Sequence, residues 1–200
     1  MDPLERLTSL FGKFPGIGPR QAQRFVQYLL RSSPSIRREL VDAVQSLGGS
    51  VKQCSQCMRF SSTGGKVCSM CSNPERDSKL LAVVASDVDI PALERSGYHG
   101  FYFVLGGTIS LASEKNPGLR TKPLLDSMPK RTEAGLQEII LAFPANPEGD
   151  ATAVQLHEEL LRHKTTQKIT SLGRGLSTGS ELEYADPETI KNALESRRSI

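Results

Sequence analysis

The spacing of four cysteines is the feature that most constrains how this chain can fold. The cysteines read C-x2-C-x10-C-x2-C and occupy positions Cys54, Cys57, Cys68 and Cys71. Each pair can turn both sulfurs toward one ion, and two pairs complete the four-thiolate tetrahedron that structural zinc prefers. Four thiolates leave no open position for a catalytic water, so the spacing predicts one structural Zn²⁺ per chain. Disulfides, an iron–sulfur cluster and free thiols are the alternative interpretations.

Residues 51–77, which contain these cysteines, show little apolar periodicity of their own. A segment with so few apolar residues gains its folding free energy from the metal, because metal binding and folding are coupled. We therefore predict a four-cysteine zinc finger over residues 51–77. The 200 residues of the chain allow at most about three small domains in all.

A sharp break separates two helical patterns in the N-terminal segment. The text PGIGP stands at residues 15–19, with apolar residues at helical spacing on both sides. Gly16 and Gly18 lack the Cβ atoms that would hold a ligand away, and Pro19 suits the first position of the second helix. The free N–H groups and the positive dipole end of that helix can hold a phosphate oxygen.

Basic residues flank this break. Lys13 precedes it, and Arg20 and Arg24 follow four residues apart, which places both on one face of the second helix. Guanidinium groups there can reach flanking phosphates without reading a base. We therefore predict contact with the DNA backbone at Lys13, Gly16, Gly18, Arg20 and Arg24. The alternative is a tight turn that only packs two helices.

The break resembles the helix-hairpin-helix motif of DNA-repair proteins, whose hairpin reads P-G-[IV]-G. Residues 1–60 also carry nine lysines and arginines against four acids, which is a weak indication of an anionic partner. Residues 1–50 are therefore predicted to form a helix-hairpin-helix DNA-binding region. A third helical pattern follows Pro34 and is predicted to end at Gly48-Gly49. Its apolar face consists of Ile36, Leu40, Val41, Val44 and Leu47.

Strand-like and helix-like patterns alternate over residues 78–173. Four near-continuous apolar or β-branched runs suit strands buried on both faces of a parallel sheet. They are residues 80–85, 101–105, 138–143 and 168–170. Helical patterns lie between them, at residues 89–96, 122–128 and 151–162. The alternation predicts an α/β domain with a mostly parallel sheet.

Two acids follow the third of these runs. Glu148 and Asp150 stand in the text NPEGDATA, at the start of the last helical pattern. Open α/β sheets place ligand sites at the carboxyl ends of their strands, and an acid-x-acid pair there can hold Mg²⁺. Acids in a first helical turn also stabilise the helix dipole without any ligand. Both interpretations of the pair stay open at this point.

The α/β segment resembles the Toprim domain of primases and of type IA and type II topoisomerases. Catalytic members carry a glutamate at the end of the first strand and an acid-x-acid motif later. Here the first strand reads LLAVVASDVD, and Ala85 stands where that glutamate is expected. Alanine neither transfers a proton nor coordinates a metal, and the chain has no G-x-x-x-x-G-K-[ST] phosphate loop. We therefore predict no enzyme activity; a Mg²⁺-dependent nuclease or primase-like enzyme is the alternative.

The order of these motifs resembles the RecR family of bacterial recombination mediators over essentially the full length. CSNPERD after the cysteines and GLSTGSELEYAD near the end are part of this resemblance. It implies a non-enzymatic repair factor, a homo-tetramer or dimer, that binds single- and double-stranded DNA without sequence specificity. It also implies that RecO, and RecF where present, work with it to load RecA onto DNA covered by single-strand-binding protein. Glu148 and Asp150 match Toprim acids implicated in RecO contact.

Residues 174–200 are predicted to form a Gly/Ser-rich loop and then a helix. Asp186 is a natural N-cap, and Pro187 suits the first helical position. We expect this segment to contribute an oligomer contact. Pro129 departs from the expected pattern, because proline removes a helical hydrogen bond and clashes with the preceding turn. The helix that begins near residue 122 is therefore predicted to end near Met128.

The sequence as a whole predicts an α+β multi-domain fold: a helix-hairpin-helix region, a four-cysteine zinc finger, an α/β Toprim domain and a C-terminal helix. No stretch approaches the ~20 apolar residues of a membrane helix, and MDPLERLTSL has no signal-peptide pattern. We expect no membrane partner and a cytoplasmic, nucleoid-associated location. A zinc-stapled protein-interaction module without a nucleic-acid role is the third hypothesis for the function.

Overall fold

The structure, a computed structural model, describes residues 2–62, 64–112 and 118–197. The chain divides into two compact units, Met1–Val51 and Lys52–Ile200. The boundary lies just before the first cysteine pair and separates a helical N-terminal unit from a cysteine-bearing unit. The α+β multi-domain fold class expected from the sequence is confirmed.

Three helices form the N-terminal unit: α1 (Pro3–Phe11), α2 (Pro19–Arg31) and α3 (Pro34–Ser50). Each helix has a proline in its first turn, where the missing N–H costs no helical hydrogen bond. α1 packs on α2, and the Phe11 ring meets the Phe25 ring edge-on at 5.6 Å between centroids. Ala22 and Val26 of α2 are buried.

The predicted end of α3 at Gly48-Gly49 is wrong. The helix runs through both glycines to Ser50, and the Val51 N–H donates to the Leu47 carbonyl at 3.3 Å. A glycine ends a helix when it takes the left-handed conformation, but neither of these glycines has a positive φ. The Ser50 hydroxyl also donates to the Ser46 carbonyl at 2.6 Å and holds the last turn.

The cysteine-bearing unit begins with a small finger. β1 (Lys52–Gln53) pairs antiparallel with β2 (Phe60–Ser61), and the short helix α4 (Ser69–Ser72) follows. With two residues in each strand, this pairing is too short to be stable alone. The finger therefore depends on what its cysteines hold and on its contacts with the sheet.

A four-stranded parallel sheet forms the centre of this unit. Its strands are β3 (Asp77–Val84), β4 (Gly100–Val104), β5 (Glu138–Ala142) and β6 (Lys168–Ser171), in the spatial order β4-β3-β5-β6. All three pairings are parallel, which confirms the strands predicted from the apolar runs. The central strand β3 has its last four residues buried, as expected for a strand covered on both faces.

Helices cover both faces of the sheet. On one face Leu81 and Val83 of β3 pack with Leu124 of α6 (Thr121–Glu133) and Leu156 of α7 (Pro147–Arg162). On the other face, residues of β3 and β4 pack with the start of α5 (Ile90–Arg95). A single 3₁₀ turn, Asp87–Asp89, leads from β3 into α5. All four strands therefore point their carboxyl ends at one edge of a doubly covered sheet.

The predicted end of α6 near Met128 is also wrong, because the helix continues through Pro129 to Glu133. Pro129 is exposed, while Met128 beside it is buried in the core. Arg131, in the turn after the proline, donates to the Ser127 hydroxyl at 3.1 Å and to the Gln56 carbonyl at 2.7 Å. The burial of Met128 before Pro129 and the contact of Arg131 with Gln56 after it offset the one helical hydrogen bond that the proline removes.

The chain ends in the helix α8 (Pro187–Glu195) after a 3₁₀ turn at Leu182–Tyr184. The predicted start of α8 is confirmed: the Asp186 carboxylate accepts the Thr189 N–H at 2.9 Å, and Pro187 occupies the first position. Of the predicted segment 174–200, the last three residues lie outside the described part. Among the described residues, no helix combines the length and the apolar composition needed to cross a membrane.

Candidate metal centre and nucleic-acid interface

The four cysteines converge on one point. Their sulfur atoms all lie within 4.8 Å of one another, with Cys54, Cys57 and Cys68 buried and Cys71 partly buried. None forms a disulfide; the Cys57 and Cys68 sulfurs, for example, are 3.6 Å apart. In the described part of the chain, no other group of three or more His, Cys, Asp or Glu side chains could share an ion. The cluster can hold a metal ion, and its closed set of soft donors fits zinc.

Backbone hydrogen bonds shape the two cysteine turns. The Cys54 N–H donates to the Arg59 carbonyl at 2.8 Å, and the Met58 N–H donates to the Cys54 carbonyl at 2.9 Å. Met58, directly after the first C-x2-C pair, takes a left-handed φ of 61°, which lets the chain reverse there. The Cys68 N–H points at the Cys54 sulfur at 3.3 Å. Such an N–H donor stabilises a thiolate, which is the form that binds metal.

The thiols also influence one another. A hydrogen bond from the Cys71 thiol lowers the pKa of Cys57 to about 5, although burial opposes this shift. The same contact, together with burial, raises the pKa of Cys71. A lowered pKa favours the thiolate form of Cys57, which is the form that binds a cation. A bound divalent ion would displace the remaining protons, because metal binding requires deprotonated ligands.

The finger is bonded directly to the edge of the sheet. The Cys57 carbonyl accepts the Val104 N–H of the edge strand β4 at 2.8 Å. The Phe60 N–H donates to the Asp87 carboxylate at 2.9 Å. Arg131 reaches from α6 to the Gln56 carbonyl; burial lowers the pKa of its guanidinium, and the nearby cysteine thiolates oppose that shift. Sequence reasoning missed Arg131, since nothing local links it to a finger 75 residues away.

The hairpin between α1 and α2 is open to solvent. Gly16 has a left-handed φ of 76°, and Gly18 is the N-cap of α2. No atom lies within 4 Å of the place where a Cβ would stand on either glycine. The Ile17 N–H donates to the Phe14 carbonyl at 3.1 Å, which closes the turn. The close approach that the sequence predicted for a ligand is therefore sterically free.

Cationic side chains surround this hairpin. Lys13 lies in the connection, and Arg20 and Arg24 lie on the first two turns of α2; all three are exposed. Among the described residues, none of the three takes part in an ion pair or a side-chain hydrogen bond. The predicted residues are thus all exposed and lie in the hairpin and the first two turns of α2. Their contact with DNA stays a prediction.

The two predicted acids lie in the first turn of α7, at the carboxyl end of β5. The Asn146 side chain caps this helix by accepting the Gly149 N–H at 2.8 Å. Asp150 is paired with Arg174, whose two terminal nitrogens each donate to one carboxylate oxygen. This leaves Glu148 without a side-chain partner among the described residues. Sequence reasoning missed Arg174, a single arginine in a Gly/Ser-rich loop.

Asp150 is engaged by Arg174 and is not free for a cation in this structure. Mg²⁺ requires near-octahedral oxygen ligands, and both oxygens of Asp150 already accept from the Arg174 guanidinium. Asp89 lies in the 3₁₀ turn after β3, and its carboxylate accepts the Ser86 N–H at 2.8 Å. Ala85 directly follows β3 and is buried, and its carbonyl accepts the Gly106 N–H at 2.9 Å. The side chain at position 85 therefore offers no ligand to a cation.

Comparison with known proteins agrees with this architecture. The Toprim domain family matches residues 79–171, and the family described as RecR, C-terminal matches residues 175–198. Recombination protein RecR of Chloroflexus aurantiacus strain J-10-fl is 40% identical over 200 residues, which covers 99% of this chain and 95% of the relative. The RecR of Synechococcus sp. strain RCC307 is 41% identical over 201 residues, with 99% and 89% covered. That of Herpetosiphon aurantiacus is 39% identical over 201 residues, with 100% and 95% covered.

The parallel sheet and the cysteine centre bonded to its edge define a class of Toprim-domain proteins that carry a metal-binding finger. Full-length similarity then identifies the particular family. The chain belongs to the RecR family.

Proposed function

We propose that this chain is a non-catalytic recombination mediator in DNA repair and that it binds DNA through the corner between α1 and α2. Its relatives are named recombination proteins. The observation that carries the proposal is that three exposed cations surround an open glycine turn at a helix N-terminus, and none has an acidic partner in the described part of the chain. The phosphates of a nucleic acid would supply the missing counter-charge.

In this proposal the protein acts with RecO, and with RecF where present, to promote RecA loading on single-stranded DNA coated by single-strand-binding protein. RecO docks at the Toprim face that carries Glu148 and Asp150. Because Asp150 already meets Arg174, a cationic partner would find Glu148 the more available of the two acids. Residues 174–200 contribute a contact in a homo-tetramer or dimer.

The metal in the finger is, in this proposal, one structural Zn²⁺ per chain. Four convergent sulfurs, three of them buried, fill a tetrahedral shell and leave no position for a substrate. The short β1–β2 pairing cannot hold the finger together unaided, so the ion stabilises the fold and takes no part in a reaction.

A double substitution tests the DNA contact. Arg20→Ala with Arg24→Ala should weaken binding to every sequence alike, because phosphate contacts carry no sequence information. Fluorescence anisotropy with single- and double-stranded oligonucleotides would measure this across a salt series. Loss of two phosphate contacts should reduce the slope of log K against log salt by about 1.8 for duplex and about 1.4 for single strands.

A matched control is available in the same unit. Arg31→Ala with Arg38→Ala removes the same charge from two exposed positions that lie away from the hairpin turn and form no ion pair with any described residue. This control should retain most of the affinity. Equal losses in the two double variants, or a loss confined to some sequences, would contradict the proposed backbone contact.

The competing hypothesis is a Mg²⁺-dependent nuclease or primase-like enzyme. It requires a cation at the acids of the Toprim face, where Arg174 occupies Asp150 and Ala85 offers no ligand. We expect no nicking of supercoiled plasmid by the zinc-loaded protein in Mg²⁺ or Mn²⁺. Nicking that Asp150→Asn abolishes would overturn the non-catalytic proposal.

A further inference from the structure

The contact between Arg174 and Asp150 has the geometry of a built-in ion pair. Nη1 of Arg174 donates to Oδ2 of Asp150 at 3.1 Å, and Nη2 donates to Oδ1. This two-point arrangement matches the planar fork of a guanidinium to the planar carboxylate and fixes both orientations. It joins residues 24 positions apart, at the carboxyl edge of the sheet.

The arginine is also held through its main chain. The Arg174 carbonyl accepts the Ser196 hydroxyl at 3.0 Å, and the next residue, Gly175, lies against Ala193 of α8. Only Leu172 and Gly173 separate Arg174 from β6, so one side of the segment is fixed by the sheet and the other by α8. The guanidinium is therefore tethered beside Asp150 and needs little further ordering to stay there.

A tethered cation competes well with a free divalent ion at this place. Mg²⁺ gives up its water shell reluctantly and prefers several oxygen ligands in fixed geometry. With Asp150 engaged, Glu148 is the remaining acid of the acid-x-acid pair, and one carboxylate makes a weak site. Arg174 also faces Glu188 of α8, which adds to the negative surroundings that hold it in place.

We propose that Arg174 takes the place of a divalent cation at the carboxyl edge of the sheet, so that the acid-x-acid face of this Toprim domain is neutralised by the protein's own C-terminal segment. The face is then independent of Mg²⁺, and its charge depends on whether the segment before α8 is docked. This goes beyond DNA binding at the hairpin, which lies in the other unit, so either proposal can fail without the other.

The hydrogen bonds from Arg174 lower the pKa of Asp150, with a further contribution from its charge. Because the pKa is lowered in the folded state, the ionised carboxylate stabilises the fold at pH values above the ordinary aspartate pKa. This stabilisation is lost as the pH falls through the lowered pKa. The pair is therefore intact at neutral pH, where the test is made.

Mn²⁺ binding to the full-length, zinc-loaded protein tests the proposal, with free Mn²⁺ followed by electron paramagnetic resonance. The wild type should show no Mn²⁺ site that depends on Asp150. The Arg174→Gln variant should bind Mn²⁺ at least about tenfold more tightly than the wild type does, because the positive charge next to the Asp150 carboxylate is gone. Adding Asp150→Asn to this variant should remove the gain, and Arg174→Lys should stay close to the wild type.

Two results would overturn the proposal. One is Mn²⁺ binding by the wild type that Asp150→Asn abolishes, a comparison that needs no change at Arg174. The other is an Arg174→Gln variant that is folded, by circular dichroism and zinc content, and yet gains no Mn²⁺ affinity. In that case something other than Arg174 keeps the cation away.

Discussion

Gly149 is the residue where the fold leaves no room for a side chain. A Cβ there would overlap the Pro144 carbonyl oxygen and lie 3.0 Å from the carbonyl carbon. The Gly149 N–H at the same time donates to the Asn146 side chain, which caps α7. The glycine therefore lets α7 start directly against the end of β5 and places the residues on either side of it, Glu148 and Asp150, at the edge of the sheet.

Substitution of this glycine should destabilise the cysteine-bearing unit. Gly149→Ala forces a backbone carbonyl to move, and overpacking of that kind costs about 1–3 kcal/mol. Urea denaturation followed by circular dichroism would show a lower midpoint with an unchanged slope. Gly173→Ala is the matched control, since no atom lies within 4 Å of its Cβ position and its φ is not left-handed. Equal midpoints for the two variants would contradict this account of Gly149.

How well a residue's contacts could be predicted from the sequence depended on how far apart the two contacting residues lie along the chain. The cysteine ligands and the Asp186 cap were predictable because spacing within a few residues defines them. The Arg174–Asp150 and Arg131–Gln56 contacts join residues 24 and 75 positions apart, and no local pattern marks either partner. Mg²⁺ binding and stabilisation of the helix dipole both stayed open for Asp150 for the same reason: its neighbour in space, Arg174, lies far away in sequence.

Among the elements, the finger and the edge strand β4 depend on each other. An edge strand exposes unpaired backbone groups, and the Cys57 carbonyl satisfies one of them by accepting the Val104 N–H at 2.8 Å. The two-stranded finger in turn gains a rigid base from β4 and from Arg131 of α6. Metal binding in the finger should therefore protect the backbone amides of β4 from hydrogen exchange, although β4 contributes no metal ligand.

Removal of the metal tests this coupling. After treatment with a strong chelator, backbone amides of residues 101–105 should exchange with solvent faster, as should those of the finger. Hydrogen exchange followed by mass spectrometry would measure both, beside a metal analysis that we expect to give one zinc per chain. The opposite edge strand β6 is the internal control and should keep its protection. Exchange that rises equally in β4 and β6, or in neither, would contradict the coupling.

The ends of two helices show where tertiary contacts and backbone conformation outweigh local helix propensity. The four strands were predictable because continuous apolar runs are a direct consequence of burial on both faces. The ends of α3 and α6 were not, since Gly48-Gly49 and Pro129 discourage a helix locally without deciding its end. Helical φ values at the glycines carry α3 on to Ser50, and the contacts of Met128 and Arg131 carry α6 on to Glu133, more than one turn beyond its predicted end.

For the whole molecule, the proposed contact at the hairpin is weak when it is made by one copy. One hairpin neutralises few phosphates, and affinity rises with each phosphate contacted. Several hairpins on one oligomer would raise the effective concentration at the second contact and prolong attachment. In the described part of the C-terminal segment proposed for the oligomer contact, three large apolar side chains are more than half exposed in the single chain, namely Leu182, Tyr184 and Leu194.

If these side chains are covered by another copy, charges placed there should separate the copies and weaken DNA retention together. Leu182→Glu with Leu194→Glu should lower the mass measured by light scattering, and the DNA complex should dissociate faster and with greater sensitivity to salt. Val88→Glu with Leu161→Glu makes the same change of charge at two exposed apolar positions outside the segment and should alter neither property. A variant that loses mass but retains DNA as the wild type does would show that a single hairpin suffices. A variant that keeps its mass would remove residues 174–200 from the proposed contact, because two added charges cannot be buried in an apolar interface without large cost.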